Sequence, residues 1–262
     1  MTRPTAPVAP AIKHLAPRVK TATCAARDDG PMHSLLRDWP FPGLVLAFAL
    51  LMWLAPWRRS AARSRWHDPA WVLPLLWPMY LLHQFEEHGI DLLGRRYPFL
   101  ADLCATLGHV GDLARCPVDE ATLCAINVGG CQIVFVTTLL LRRRAPAVAA
   151  FGWGVPLVNA LLHIGGSLSH MAYRPGLFTS VVLFLPLGIW VLRTLVRAGV
   201  LRPAQLAWVL VTGVVMHAVL MASLLLIEKD LLSHEAALAI NVLNGFVPLA
   251  IGLWIARTRN AR

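Results

Sequence analysis

The chain has 262 residues, of which 57% are hydrophobic and only 15% are charged, and its formal net charge is +10. That balance leaves too little polar surface to cover a water-soluble globule of this size, which excludes an ordinary soluble domain and indicates an integral membrane protein. The positive charges lie in short clusters between apolar runs rather than along one amphipathic face, and this argues against nucleic acid as a partner.

The N-terminal segment, residues 1–38, is rich in alanine, proline and basic residues and contains no long apolar run. This composition is not that of a cleaved signal peptide, and we predict a disordered basic tail. Met32 directly precedes the first apolar segment, which leaves it as an alternative start of the protein.

Seven apolar segments follow, each of roughly 17–25 residues, the length that crosses about 30 Å of hydrocarbon. They cover residues 41–57, 71–94, 121–141, 147–171, 176–196, 204–227 and 236–256. The predicted fold is therefore all-α, with one transmembrane helical domain of about seven spans over residues 39–257 and a short basic tail at 258–262. The first segment is short and bounded by Pro42 and Pro56, so a tilted or interfacial helix is the alternative there.

Arginine and lysine alternate between successive loops, which predicts the orientation because positively charged loops stay cytoplasmic. The loops after the first, third and fifth segments, together with the C-terminus, carry most of the arginines: Arg58, Arg59, Arg63, Arg65, Arg142, Arg143, Arg144, Arg193, Arg197, Arg202, Arg257, Arg259 and Arg262. We place these loops in the cytoplasm and the intervening loops outside the cytoplasmic (inner) membrane. One conflict remains, since this topology also carries the basic N-terminal tail across the membrane.

The second segment, WVLPLLWPMYLLHQFEEHGIDLLG, is an apolar run that contains five ionisable residues: His83, Glu86, Glu87, His88 and Asp91. Ionisable groups at membrane depth are costly and are a functional hypothesis by default. At about 100° per residue, His83, Glu86 and Glu87 share one face of the helix, a spacing suited to metal ligands or to acid–base catalysis. The alternative is that the two carboxylates and His88 are solvated at an interfacial helix end.

The fourth segment carries four residues on one stripe, at spacings of four, three and four: Asn159, His163, Gly166 and His170. Two imidazoles and one amide therefore point in the same direction. The small residues at 165–167 allow a neighbouring helix to approach closely. A helix-packing face with a hydrogen-bonded polar ladder is the alternative.

Three further segments contribute polar residues: Asn127 in the third, His217 in the sixth, and Asn241 with Asn244 in the seventh. With the predicted orientation, most of them lie at depths that overlap those of His83 and His163, in the outer half of the bundle. We therefore expect one central site built from several helices, in which these residues and Asn159 are supporting groups. His217 is alone on an apolar face, so simple packing is the alternative for it.

Three features, taken in chain order, carry a family resemblance. They are the string His83-Gln-Phe-Glu86-Glu87, the later Asn159-x-x-x-His163, and the Tyr173-Arg-Pro-Gly176 turn that leads to Thr179. The set resembles the HXXEE-domain family of bacterial membrane proteins over about residues 71–200. The family is named for its motif and has no settled activity, but its histidines imply an active or metal site. The resemblance implies functional roles for His83, Glu86, Glu87, Asn159 and His163.

We interpret the polar cluster as the site of a membrane-embedded enzyme that acts on a lipid or other apolar substrate. The predicted catalytic residues are His83, Glu86 and Glu87. The predicted ligands of a divalent zinc, iron or manganese ion are His83, Glu87, His163 and His170. A metal-dependent hydrolase or oxygenase and a metal-free acid–base isomerase are both open. The alternative function is a proton- or ion-coupled transporter that uses the same cluster, although no inverted repeat is evident.

The five cysteines form no CxxC pair and no zinc-finger spacing, which argues against structural zinc. Cys104 and Cys116 lie in the loop between the second and third segments, on the oxidising side of the membrane in the predicted topology. A disulfide between them is possible. Cys124 and Cys131, within the third segment, are expected only to pack.

Overall fold

The structure is a computed structural model that describes residues 31–56 and 64–260. Within these ranges the regular structure is helical, and the β contact they contain is an isolated bridge between Ile90 and Arg96. The all-α class is therefore confirmed. The predicted disorder of residues 1–30 and the loop arginines at 58, 59 and 63 lie outside the described residues.

The helices are numbered α1 to α10 in chain order. Their bounds are α1 Pro31–Asp38, α2 Pro40–Leu54, α3 69–89, α4 Pro98–Thr106, α5 Glu120–Leu141, α6 Pro146–His170, α7 Leu177–Arg197, α8 Pro203–Glu228, α9 His234–Asn244 and α10 Val247–Asn260. A short 3-10 turn, Arg65–His67, precedes α3. The run α3 joins four segments: Pro69–Val72, Leu73–Leu75, Leu76–Gln84 and Phe85–Gly89.

Four helices, α5 to α8, are long and apolar enough to cross a membrane. The pair α9 and α10, bent by 40° at a short break, would be a fifth span if it crosses as one unit. The structure thus supports four to five spans rather than the seven predicted from hydropathy. The difference arises because α2 has only 15 residues and because α3 combines prolines with buried polar side chains.

The helix α3 lies inside the bundle, where nearly every side chain from Ala70 to Asp91 is buried. Its neighbours include α2, α4, α5 and α7. A helix that is apolar all round is either enclosed by protein or surrounded by lipid, and hydropathy alone does not distinguish the two cases. The main core cluster forms around its first half and includes Trp71, Leu76, Phe135, Phe151, Trp153 and Phe184.

The loops after α3, α6 and α8 meet at one end of the bundle, which we call the site end: residues 90–119, 171–176 and 229–233. Arg174 Nε lies 2.6 Å from Asp102 Oδ2. His109 Nε2 lies 3.0 Å from Glu228 Oε2. These contacts bring together loops that were predicted to share one side of the membrane, and the assignment of the site end to the outside stays a prediction.

Two boundaries differ from the sequence prediction. Residues 31–38, predicted as the end of a disordered tail, form the helix α1, which packs against the start of α5. Asp38 at its end accepts a hydrogen bond from Tyr97 Oη at 2.5 Å, and this contact ties α1 to the site end. At the other terminus, α10 continues to Asn260, so the predicted tail at 258–262 begins inside a helix.

The pairing of four cysteines agrees with the sequence analysis. Cys104 and Cys116 form a disulfide, which joins the end of α4 to the segment before α5. Cys124 and Cys131 are free thiols within α5.

Candidate metal centre

Three helices contain a π-helical segment next to the polar cluster: Phe85–Gly89 in α3, Ala125–Gly130 in α5 and Ser180–Phe184 in α7. Such segments are rare and occur frequently at functional sites, because the wider turn redirects side chains. The first two segments place His88 Nε2 and Asn127 Nδ2 3.3 Å apart.

Glu87 lies at the centre of three imidazoles. Its Oε1 is 3.2 Å from His163 Nε2, and its Oε2 is 3.3 Å from both His83 Nε2 and His88 Nε2. Gln84 Nε2 donates a hydrogen bond to the same Oε2 at 3.0 Å. The structure thus brings together residues of α3 and α6 that the sequence analysis assigned to one site.

Thr179 determines the tautomer of His83. Its hydroxyl donates to Glu86 Oε2, because an ionised carboxylate can only accept. That hydroxyl has a single proton, so His83 Nδ1, which lies 2.8 Å from Thr179 Oγ1, must be the donor in their contact. A neutral His83 then carries its lone pair on Nε2, the nitrogen that faces Glu87.

The contact between His83 and Glu87 is therefore one between two acceptors. His83 Nε2 is buried and makes no hydrogen bond to the described residues, although it lies 3.3 Å from Glu87 Oε2. Within the described ranges, His83, Glu87 and His163 offer one ligand atom each, all within 4.8 Å of one another. Neutral imidazole nitrogen and carboxylate oxygen are the ligands that zinc prefers, so the donor set fits a divalent metal ion.

Glu86 points away from these ligands and binds the start of α7. Its Oε1 accepts hydrogen bonds from Tyr173 Oη at 2.6 Å and from Phe178 N at 3.0 Å, and its Oε2 accepts one from Thr179 N at 2.7 Å. A carboxylate at a helix N-terminus satisfies free backbone N–H groups and interacts favourably with the helix dipole. Glu86, predicted as catalytic, therefore caps α7 in the structure, and its catalytic role stays a prediction.

Tyr173 extends this anchor into the loop before α7. Burial, followed by the hydrogen bond to Glu86, raises the pKa of the Tyr173 phenol. The phenol therefore stays protonated and remains a donor to the carboxylate. Its oxygen also accepts a hydrogen bond from Leu92 N at 3.1 Å, which links the end of α3 to the same loop.

Gly176 packs directly on the two histidines. Its φ is +85°, and a Cβ there would lie 2.6 Å from His163 Cε1 and 2.8 Å from His83 Cε1. Glycine is needed both for this backbone conformation and for the close approach. The Tyr173-Arg-Pro-Gly176 turn, noted in the sequence only through the family resemblance, is thus a wall of the site.

A cavity of about 350 Å³ adjoins the cluster. Glu87, His88 and His163 line it at one side. Most of the other lining side chains are apolar, and they include Leu123, Ile126, Val155, Leu162, Met216, Leu220, Met221 and Leu224. The volume and the apolar walls are typical of a small-molecule site.

The predicted supporting residues all line this cavity: Asn127, Asn159, His217, Asn241 and Asn244. His217 Nδ1 is bonded to Gly213 O at 2.8 Å, so its ring is held by its own helix. His170, predicted as a metal ligand, is exposed and contacts Gly166 O at 2.8 Å instead. It lies at the last residue of α6, beyond the level at which this helix faces Glu87.

Sequence reasoning missed two residues of the cluster. Gln84, which holds Glu87, lies within the H-x-x-E-E string and was passed over. Thr179 was noted only as the residue to which the turn leads. Its position directly after a Pro-Gly turn, at the start of an apolar helix, is the signal that could have indicated a partner for a buried carboxylate.

The model of a family described as a protein of unknown function with an HXXEE motif matches residues 74–191. This segment runs from α3 into α7 and includes His83, Glu87 and His163. Within the matched residues, the histidine and the second glutamate of the motif face each other, whereas the first glutamate caps α7. No curated protein and no solved structure gives a significant match to the chain.

Proposed function

We propose that the protein is a membrane-embedded enzyme in which His83, Glu87 and His163 bind a divalent zinc, iron or manganese ion beside a cavity for an apolar substrate. The observation that carries this proposal is the buried pair of acceptors, His83 Nε2 and Glu87 Oε2, 3.3 Å apart. A cation held between them would replace their repulsion by coordination. When bound, the ion would activate water or polarise a substrate oxygen.

Neighbouring residues support this role by orienting the ligands. Glu86 and Thr179 form a chain of hydrogen bonds to His83 Nδ1, which is the kind of outer contact that fixes the ring of a metal-bound histidine. Gln84 holds Glu87 in the same way. His88 lines the cavity beside Glu87.

The proposed substrate is a lipid or another apolar molecule that enters from the side of the bundle. Leu162 on α6 and Met221 on α8 both line the cavity, and they are 54% and 37% exposed. The two helices are in close backbone contact at Gly154 and Gly213, on the other side of the cavity from the site end. If the arginine-rich loops are cytoplasmic, this opening faces the outer half of the membrane.

A transporter is the second candidate, and the core argues against it. Between the cluster and the arginine-rich end, the bundle is filled by large buried side chains such as Leu76, Phe151 and Trp153. A proton or ion path would need polar groups at that depth. Proton flux into liposomes containing the purified protein tests this candidate directly, and we expect none above the flux of empty liposomes.

The metal proposal is tested by elemental analysis of detergent-purified protein after incubation with each metal and removal of the excess. We expect about one ion per chain in the wild type and loss of that ion in Glu87→Gln and His163→Asn. His170→Asn is the matched control, because this exposed imidazole lies outside the cluster, and it should retain the ion. Wild-type protein that binds none of the three metals would overturn the proposal, as would equal loading of Glu87→Gln.

A further inference from the structure

Two asparagines of α9 that line the cavity hold their amides in a fixed orientation. Asn241 Nδ2 donates to Ala237 O at 2.9 Å and to Ser223 Oγ at 2.8 Å. Asn244 Nδ2 donates to Met216 O at 2.9 Å. Because a backbone carbonyl can only accept, the nitrogen of each amide must face it. The oxygen of each amide is therefore directed the other way.

These two amide oxygens have no donor among the described residues, and Asn241 and Asn244 are only 4% and 7% exposed. A third amide oxygen, Oδ1 of Asn159 on α6, is also buried without a partner there. All three residues line the same cavity. Buried acceptors are costly when unsatisfied, so three of them around one cavity indicate a ligand that supplies donors.

The charges around the cavity restrict what that ligand can be. The guanidinium of Arg174, which lines the cavity, is bonded to Asp102 Oδ2 at 2.6 Å and is not free to neutralise an anionic head group. Glu87, the other carboxylate of the lining, faces the imidazoles of the cluster. A buried ammonium would therefore lack a counter-charge. A hydroxyl group supplies a donor without a charge.

The size and the walls of the cavity indicate the chemistry of the rest of the ligand. About 350 Å³ is far more than a single ion or water molecule needs, and the leucine, valine and methionine side chains of α5, α6 and α8 suit an apolar chain or ring. Asn159 and His163 are four residues apart on α6, so they lie on the same face of that helix. A group held at Asn159 would lie one helical turn from the cluster.

We propose that Asn159, Asn241 and Asn244 form a second subsite that recognises the hydroxyl group of an uncharged lipid alcohol. The assignment rests on the proposed function for the chemistry at the cluster, but binding at the subsite does not require the metal. The subsite selects against carboxylates and phosphates, which bring acceptors and negative charge to a surface made of acceptors.

The test compares three probes with the same apolar chain: 1-dodecanol, its methyl ether and dodecanoate. Binding to the purified protein in nanodiscs is measured by native mass spectrometry, with empty nanodiscs as the reference for partitioning. We expect the alcohol to bind about tenfold more tightly than the ether, which cannot donate, and more tightly than dodecanoate. Equal affinity for alcohol and ether would overturn the subsite.

Asn159→Leu is the decisive variant, since the Asn159 side chain makes no hydrogen bond to the described residues and its replacement breaks none. We expect affinity for the alcohol to fall to that for the ether, while affinity for the ether stays within about twofold. Ser167→Ala is the matched control, because this buried hydroxyl of α6 is also without a partner but lies outside the cavity lining. An alcohol preference that survives Asn159→Leu would contradict the assignment.

Metal content separates this proposal from the one before it. Asn159→Leu should retain the ion that Glu87→Gln loses, whereas Glu87→Gln should retain the preference for the alcohol. If the wild type prefers the alcohol but binds no metal, the subsite stands and the metal proposal fails. If it binds metal without preferring the alcohol, the reverse holds.

Discussion

The two halves of α3 are equally buried but contain opposite chemistry. From Trp71 to Leu82 the side chains are apolar or aromatic; most of those up to Tyr80 pack into the main core cluster, and Leu81 and Leu82 pack into a smaller one with Ala47 and Leu50 of α2. From His83 to Asp91, which lies two residues beyond the end of α3, the chain buries five ionisable side chains, and these contact partners on α4 to α7 or in the adjoining loops. The first half is stabilised by the area it buries, and the second depends on particular partners.

The comparison shows which substitutions should lower stability alone and which should also affect metal binding. Removing an apolar side chain from the first half leaves a cavity and lowers the free energy of unfolding, but it leaves every proposed ligand in place. Removing one member of the second half leaves its partners buried without a bond or a counter-charge. Substitutions in the two halves should therefore have different signatures in unfolding and in metal binding.

The largest effect on stability is expected in the apolar region. Trp153 is completely buried against the first half of α3, and its Nε1 donates to Leu73 O at 3.1 Å. Trp153→Ala should lower the free energy of unfolding by about 3–5 kcal/mol. Denaturant unfolding of the detergent-purified protein measures this loss, while the folded fraction should still bind one ion. A folded Trp153→Ala protein that has lost the ion would contradict the expectation that the apolar region affects stability alone.

Val136→Ala is the control for this measurement, since Val136 on α5 is 37% exposed and does not belong to the core cluster. Its effect should stay within about 0.5 kcal/mol.

Neighbouring glutamates of the polar half should differ from each other. Glu86 accepts hydrogen bonds from Tyr173, Phe178 and Thr179, and an amide at this position would direct an N–H group at one of these donors. Glu86→Gln should therefore lower the free energy of unfolding by about 1–3 kcal/mol. Glu87→Gln should cost less stability but abolish metal binding. Thermal unfolding and elemental analysis of both variants measure the contrast, and identical behaviour of the pair would refute the assignment of Glu86 to the start of α7.

The helical class follows from the long apolar segments of the sequence, and helical periodicity places His83 beside Glu87. The distinct roles of Glu86 and Glu87 do not follow from the sequence. The partners of Glu86 lie more than eighty residues away, and the π-helical turn Phe85–Gly89 redirects side chains in a way that a regular helix of 100° per residue does not reproduce.

The described residues contain four to five candidate spans, whereas hydropathy predicted about seven. Hydropathy records how apolar a segment is, but it does not record whether protein or lipid surrounds it, and α3 is enclosed by other helices. His170 was assigned to the metal site because it continues the stripe of Asn159 and His163. The spacing of a stripe does not indicate how far along the helix the other ligands of the site extend. Contacts between helices decide both points.

The most specific effect is expected at Thr179. Thr179→Val keeps the shape of the side chain but removes the hydroxyl that accepts from His83 Nδ1 and donates to Glu86. Without it, either nitrogen of His83 can carry the proton, and the lone pair on Nε2 is no longer fixed toward Glu87. Loss of such an outer contact lowers metal affinity by about 10–100-fold in other sites, and we expect a loss in that range here. Competition with a chelator measures this loss of metal affinity.

Thr179→Ser restores the hydroxyl and should recover most of the metal affinity, which a purely structural role of the residue would not require. If the serine and valine variants bind the ion equally, the tautomer argument fails, even where Glu87 and His163 remain as ligands.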